Sequence, residues 1–384
     1  AFIPVGREFH SSVLIDKKLY FSGGFSSVAS ATNEFFYLDL SKPFTTTNNA
    51  SIPWIDLTYT NGPLKHSATA CIGGNKNDAI FIFGGFPYNN NFINQFNTSK
   101  QQWTNITVTD VAPLYREDIS CAEFNNGLIA IFSGYINLTY AKNDLWIFNT
   151  LTLSWSLSNE TNVPSSRYGY CAVTLPDNNI LYIGGSNPTN WTSYMPMNNL
   201  PLYNTTSNIW SNISTSGPIP PGRRYFSVVL TPDRRILMFG GKNEMTLGDL
   251  WILNISTFQW SIGNIVNPIA DLTLSGHTAT LMDNYMFVAF GTFSNSSFSS
   301  RIFILNVNQN NAYAWVDGLT STSITNLNPT TSDSKFSGLI ISAIICAIIS
   351  VIILVVAIIF LYNKSDSFNV YNYLPMSTIK PVDF

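Results

Sequence analysis

Three histidines, His10, His66 and His277, are the residues of this 384-residue chain best suited to metal or acid–base chemistry. Each opens a similar stretch, in Arg7-Glu-Phe-His10, Lys65-His66-Ser67 and Gly276-His277-Thr278. Zinc takes histidine nitrogen at about 2.0–2.1 Å, and a ligand histidine normally donates its other N–H to a carboxylate or carbonyl. No carboxylate is evidently paired with any of the three, so they read as packing residues of a repeat. Neither a metal nor a cofactor is expected. Cys71, Cys121 and Cys171 recur about fifty residues apart. They read first as small buried hydrophobes; a Cys71–Cys121 or Cys121–Cys171 bridge is the alternative. Arg7, Arg116, Arg167 and Arg223 recur at similar spacing. Gathered at one end of a molecule, they would suit carboxylates or sulfated sugars through bidentate hydrogen bonds; otherwise each guanidinium holds backbone carbonyls of its own unit.

The elements that position these side chains repeat. An apolar segment runs into a glycine doublet in Leu19-Tyr-Phe-Ser-Gly-Gly24, Ile80-Phe-Ile-Phe-Gly-Gly85, Ile180-Leu-Tyr-Ile-Gly-Gly185 and Ile236-Leu-Met-Phe-Gly-Gly241. Weaker copies end in Ser133-Gly134 and Phe290-Gly291. A polar loop follows, then a second apolar segment such as Asp249-Leu-Trp-Ile-Leu253, then a tryptophan at 54, 103, 155, 210, 260 or 315. Each unit therefore holds about four short strands. One such sheet cannot bury both faces, whereas sheets arranged radially cover each other.

An Arg or His before the first strand, a closing Gly-Gly on the second, Asp-Leu-Trp on the third and Trp on the fourth resemble the kelch motif over about residues 5–318. The resemblance implies an all-β propeller of six blades. The leading Arg is missing at Pro63 and Leu274, and a seventh blade completed by upstream sequence stays open. Galactose oxidase shares this propeller and holds copper with two His, two Tyr and a Tyr–Cys crosslink. No residue here carries over as a copper ligand, so an oxidase is the third function considered, behind a binding or adhesion module and a structural or wall-anchoring protein.

Composition is 14% aromatic and only 11% charged, with net charge −3 and no basic run. That excludes the electrostatic footprint of a nucleic-acid binder. Residues 319–335 are rich in Ser, Thr and Asn and read as a stalk. Residues 336–362 contain a 23-residue apolar run, 339–361, long enough to cross a bilayer of about 30 Å as a helix. Residues 363–384 form the tail, where Tyr371-Asn-Tyr-Leu374 and Tyr373-Leu-Pro-Met376 fit a tyrosine sorting pattern for adaptor contacts. Before the apolar run, Asn-x-Ser/Thr triplets start at Asn49, Asn97, Asn105, Asn137, Asn159, Asn190, Asn204, Asn212, Asn254 and Asn295. They are expected to carry glycans, which puts the propeller, residues 1–318, outside a plasma membrane as a type I single-pass glycoprotein. Ala1 reads as a mature end or the start of a fragment.

Loops between the doublet and the third strand vary most, and variable loops on a rigid scaffold are where binding concentrates. Phe86, Tyr88, Tyr135, Trp191 and Tyr194 are the candidates there for a protein or carbohydrate ligand, with the loop 186–199 foremost. The four arginines are the candidates at the ring's end.

Overall fold

The computed structural model describes residues 2–321, apart from 89–90, 108–110, 126, 137–140, 160–161 and 309–311; the stalk beyond Ser321, the apolar run and the tail lie outside the described residues. Six four-stranded antiparallel sheets follow one another, each built from one repeat with its strands in sequence order. The first is Ser11–Ile15, Lys18–Ser22, Phe35–Asp39 and Trp54–Asp56; the fifth is Ser227–Leu230, Arg235–Lys242, Thr246–Asn254 and Gln259–Ile262. They form an all-β six-bladed propeller.

Two closed circuits of backbone hydrogen bonds fix the blade count. In the inner circuit a residue with positive φ stands at or just before the start of each first strand, namely Phe9, Ser67, Asp118, Gly169, Tyr225 and Gly276. Each donates its amide to the carbonyl of the equivalent residue one blade back, and Phe9 donates to Gly276 at 2.8 Å. In the second circuit, Gly24, Gly85, Gly134, Gly185, Gly241 and Gly291 donate to Lys65, Arg116, Arg167, Arg223, Leu274 and Arg7 of the following blade, at 2.7–3.0 Å. The last of these bonds returns to blade one, so the ring closes with six. A short strand, Gly318–Leu319, then pairs with Phe44–Thr45 and ties the end of blade six to blade one.

These circuits also correct the alignment of blade two. Lys65, not Pro63, occupies the arginine position, so His66 is equivalent to Glu8 and stands two residues before the place of His10 and His277. The glycine doublet is explained by the same geometry. Gly241 has φ +95°, and a Cβ there would meet Phe226 Cβ at 2.7 Å and the Arg224 carbonyl oxygen at 2.9 Å. Ser133 and Phe290, which replace the first glycine in two copies, keep its left-handed conformation, with φ 53° and 58°.

The core lies between blades. Trp260 is fully buried and donates its indole N–H to the Met197 carbonyl of blade four at 3.0 Å. Trp315, Trp210, Trp155 and Trp54 likewise meet Phe239, Phe132, Phe83 and Phe290 of the blade before, with ring centroids 5.0–6.0 Å apart. Cys71 and Cys121 form a disulfide between blades two and three, correcting the expectation of free thiols. The two lie on neighbouring inner strands, one register step apart, with Cα atoms 6.3 Å apart, within bridging range. Cys171 remains free, and burial pushes its thiol up to about 12.

Candidate functional site

The first place to look for chemistry is the axis. A cavity of ≈ 110 Å³ is lined by His10, Tyr170, Tyr225 and His277 among others. Those residue types invite comparison with a copper centre; the Nδ1 atoms of His10 and His277 are buried without a hydrogen-bond partner, while their remaining polar atoms are engaged. His10 Nε2 meets Thr278 Oγ1 at 2.9 Å and His277 Nε2 meets Ser227 Oγ at 2.8 Å. Tyr225 donates to Asp118 at 2.9 Å, and Tyr170 to the Phe132 carbonyl. The Cys171 thiol donates to the Phe226 carbonyl at 3.3 Å. Among the described residues no three of His, Cys, Asp and Glu gather as a metal site. Burial holds both axial histidines neutral, His277 down to about 3.

Arg7, Arg116 and Arg223 are buried. Arg116 and Arg223 form ion pairs with Asp144 at 2.7 Å and Asp249 at 2.6 Å, and Arg7 pairs with Glu34. The same guanidiniums donate to the carbonyls of Ser133, Gly240 and Gly23 at 2.9–3.0 Å. Each thus ties the entry of its first strand to the end of the second and the start of the third. Their hydrogen-bonding capacity is used within the blade rather than presented to a ligand, which is the anchoring alternative of the sequence. In blade two Lys65 takes this place, donates to the Asn91 carbonyl at 2.5 Å, and is pushed by burial down to about 7.

One residue beyond each anchor the side chains change character. At the end of the ring where the second strand leaves and the next first strand enters, the residue after the anchor pairs with the residue after the doublet. The six pairs are Glu8 with Phe25, His66 with Phe86, Glu117 with Tyr135, Tyr168 with Ser186, Arg224 with Lys242, and Ser275 with Thr292. Together they form the mouth of the channel.

The mouth is aromatic on one side and charged around its rim. Phe86 and Tyr88 are exposed, 38% and 36%, with ring centroids 5.3 Å apart; Tyr88 donates to Glu117 at 2.9 Å. Tyr135 lies edge-on to Tyr168 at 4.9 Å, and Phe9 to Tyr225 at 4.8 Å. The Arg224 guanidinium stands 5.3 Å from the centroids of both Tyr168 and Tyr225. Burial, with Asp118 close by, raises the Glu117 carboxyl to about 7. Burial also raises Glu8 and Asp118.

Of the loop candidates, Phe86, Tyr88 and Tyr135 meet here. The loop 186–199 folds as a hairpin, strand Asn190–Tyr194 pairing with Ser186–Asn187, and its Met195 and Met197 are buried packing residues. Tyr194 is half-buried against Gly222 of the next blade; the Trp191 side chain lies outside the described residues. Glu8, Glu117, Tyr168, Arg224 and Lys242 were missed. Their signal was available: each follows an anchor or a doublet by one residue.

The sequon asparagines occupy turns and strand edges. Asn105, Asn159, Asn190, Asn212, Asn254 and Asn295 are exposed, Asn97 and Asn204 half-buried, and Asn137 and the Asn49 side chain are not described. Asn190, Asn204, Asn254 and Asn295 accept the amide two residues on at 2.9–3.3 Å, the side-chain turn that asparagine favours. The triplets therefore have a structural role independent of glycans.

The model of the KLHDC2/KLHL20/DRC7 Kelch-repeats domain matches residues 10–241 and 192–329. The chain belongs to the kelch-repeat family. Among similar proteins is the "Tip elongation aberrant protein 1" of Schizosaccharomyces pombe, 28% identical over 200 residues, covering 50% of this chain and 17% of that protein. The human "Kelch domain-containing protein 10" is 28% identical over 196 residues, covering 47% and 42%. The "Host cell factor homolog hcf-1" of Caenorhabditis elegans is 27% identical over 237 residues, covering 55% and 29%. The match thus spans less than half the length of each. The solved structure of YjhT superposes with a TM-score of 0.62 over 82% of this chain and 98% of that one, at 14% identity, a likeness of fold. Among the described residues no helix is long and apolar enough to cross a membrane.

Proposed function

We propose that the kelch propeller is a protein-binding module whose partner docks on the mouth, and that the chain carries it on the cell surface through the apolar run within 336–362. The observation that carries the first part is the contrast between the two ends of the ring. The far end's turns from first to second strand are tight and polar, such as Asp16-Lys17, Gly74 to Asn77 and Pro176 to Asn178. The mouth offers exposed aromatic rings beside Glu117, with Arg224 and Lys242 in another blade. Aromatic and arginine side chains of this kind dominate protein interfaces.

The cell-surface part is supported by the Cys71–Cys121 disulfide, which suits an oxidising compartment, by the exposed sequons and by the apolar run. Staining of intact cells with propeller antibodies tests it; staining only after permeabilisation reverses it.

Binding is tested by screening secreted and cell-surface proteins with the parent chain, then with Tyr88→Ala plus Lys242→Ala and with Lys76→Ala at the far end. The double variant is expected to weaken the partner by about tenfold or more. Equal binding by the double variant, or loss with Lys76→Ala, removes the mouth as the site.

A further inference from the structure

Blade four breaks the anchor rule. In blades one, three and five the buried arginine meets the acid that stands immediately before Phe35, Leu145 or Leu250, at or within the third strand: Glu34, Asp144 or Asp249. In blade two both members change, to Lys65 and Phe92; in blade six both change again, to Leu274 and Arg301. Only blade four keeps the arginine and loses the acid, since Asn199 stands before Leu200 where Asp144 and Asp249 stand before Leu145 and Leu250.

The result is a buried cation with an unused face. Arg167 is 4% exposed, and its Nε donates only a long bond, 3.4 Å, to the Ser165 carbonyl. Among the described residues its guanidinium has no carboxylate partner and no bond to the end of the doublet such as Arg7, Arg116 and Arg223 make. Desolvation lowers it to about 10, the cost of a charge without a counter-ion. A cleft of ≈ 710 Å³ opens beside it, lined also by Asn199, Ser165, Trp210 and Asn212. Trp210 adds a second idle donor. Its indole N–H is buried without a partner, as is that of Trp155 in blade three, whereas the equivalent Trp260 and Trp103 donate to the Met197 carbonyl and to Thr60. Buried donors left unmade are costly, and a ligand acceptor recovers that cost.

We propose that this cleft is a carboxylate-binding site, in which the ligand's carboxylate takes the place that Asp144 and Asp249 fill in blades three and five and accepts from Arg167 and Trp210. The planar fork of arginine matches a carboxylate through two parallel bonds, and exclusion of water strengthens them. The neutral Asn199 leaves the charge to be supplied from outside. The segment before the first strand and the start of the third strand both lie at the mouth end of the ring, so the cleft sits outward of the mouth on the same end. It stands apart from the mouth residues Tyr88 and Lys242, and its test does not depend on them.

The test uses the full chain and two probes, sodium acetate and a short blocked peptide with one central aspartate, each read by calorimetric titration and by melting temperature. The parent should bind and be stabilised; peptide binding much tighter than acetate identifies a protein side chain as the source, equal binding a free small acid. The variant Asn199→Asp supplies the missing internal acid. It should melt at least about 2 °C higher without ligand and bind either probe about tenfold or more weakly. Matching peptides with asparagine in place of aspartate should not bind. A parent that binds neither probe, or an Asn199→Asp variant that binds as the parent does, overturns the proposal.

Discussion

The amide of Phe9 donates to the carbonyl of Gly276 at 2.8 Å, across 267 residues of sequence, and this bond joins the first blade to the sixth. It is the same bond that Ser67 makes to Phe9, so the seam of the ring is built like every other junction. Gly276 has φ +64°, and a Cβ there would lie 3.0 Å from Glu8 Cβ and 3.1 Å from Phe9 Cε1. A β-branched residue in that conformation is strained, at roughly 1–3 kcal/mol before the contacts are added. Gly276→Val should therefore lower the melting temperature clearly. A variant that melts with the parent would contradict closure at this bond.

Trp260→Ala removes the largest fully buried side chain and its bond to Met197, and should cost about 3–5 kcal/mol in chemical denaturation. An unchanged midpoint would mean that the blades do not share this residue as core.

The repeat itself was legible because each feature has a physical cause that sequence records. The doublet glycines are demanded by positive φ and close carbonyls, and the tryptophans by the gap between blades. Register was less legible. His66 looks like His10 and His277 by eye, yet the backbone circuit places it two residues earlier, at the mouth, because local spacing does not reveal which residue takes the left-handed turn. The role of Arg7, Arg116 and Arg223 was left open between anchor and ligand, since their partners Glu34, Asp144 and Asp249 lie 26–28 positions away and are recognised only when all blades are overlaid. The disulfide was one of three stated outcomes, and choosing it requires the register between neighbouring inner strands. Tyr168 and Arg224 were not legible as site residues because sequence variation marks the long loops, whereas the mouth is made by the ends of strands.

The axial histidines give a pH signature. His277 is held neutral, down to about 3, whereas in the unfolded chain it protonates near 6.5. Below 6.5 the unfolded state binds the extra proton, so this stabilisation is lost as pH falls from 6.5 toward 3, by up to about 1.4 kcal/mol per pH unit. Glu117, raised to about 7, acts oppositely between pH 7 and 4.5, so the comparison must be with a variant. In His277→Gln the stability decline below pH 6.5 should be shallower than in the parent. Parallel curves would show that His277 titrates freely.

Reduction of Cys71–Cys121, which closes a loop with a sequence separation of 50, should destabilise the propeller by about 2–4 kcal/mol. Mass spectrometry of the oxidised, denatured propeller should find Cys171 alone alkylated among residues 1–321. Alkylation of all three without reductant would refute the bridge.

Docking on the mouth is tested most directly by hydrogen exchange on the complex with a partner recovered in the screen. Protection is expected around Glu8, Phe25, His66, Phe86, Glu117, Tyr135, Arg224 and Lys242, with the turns at Asp16, Gly74, Pro176 and Asp233 exchanging as in the free protein. Protection confined to those far-end turns, with the mouth unchanged, would contradict the account.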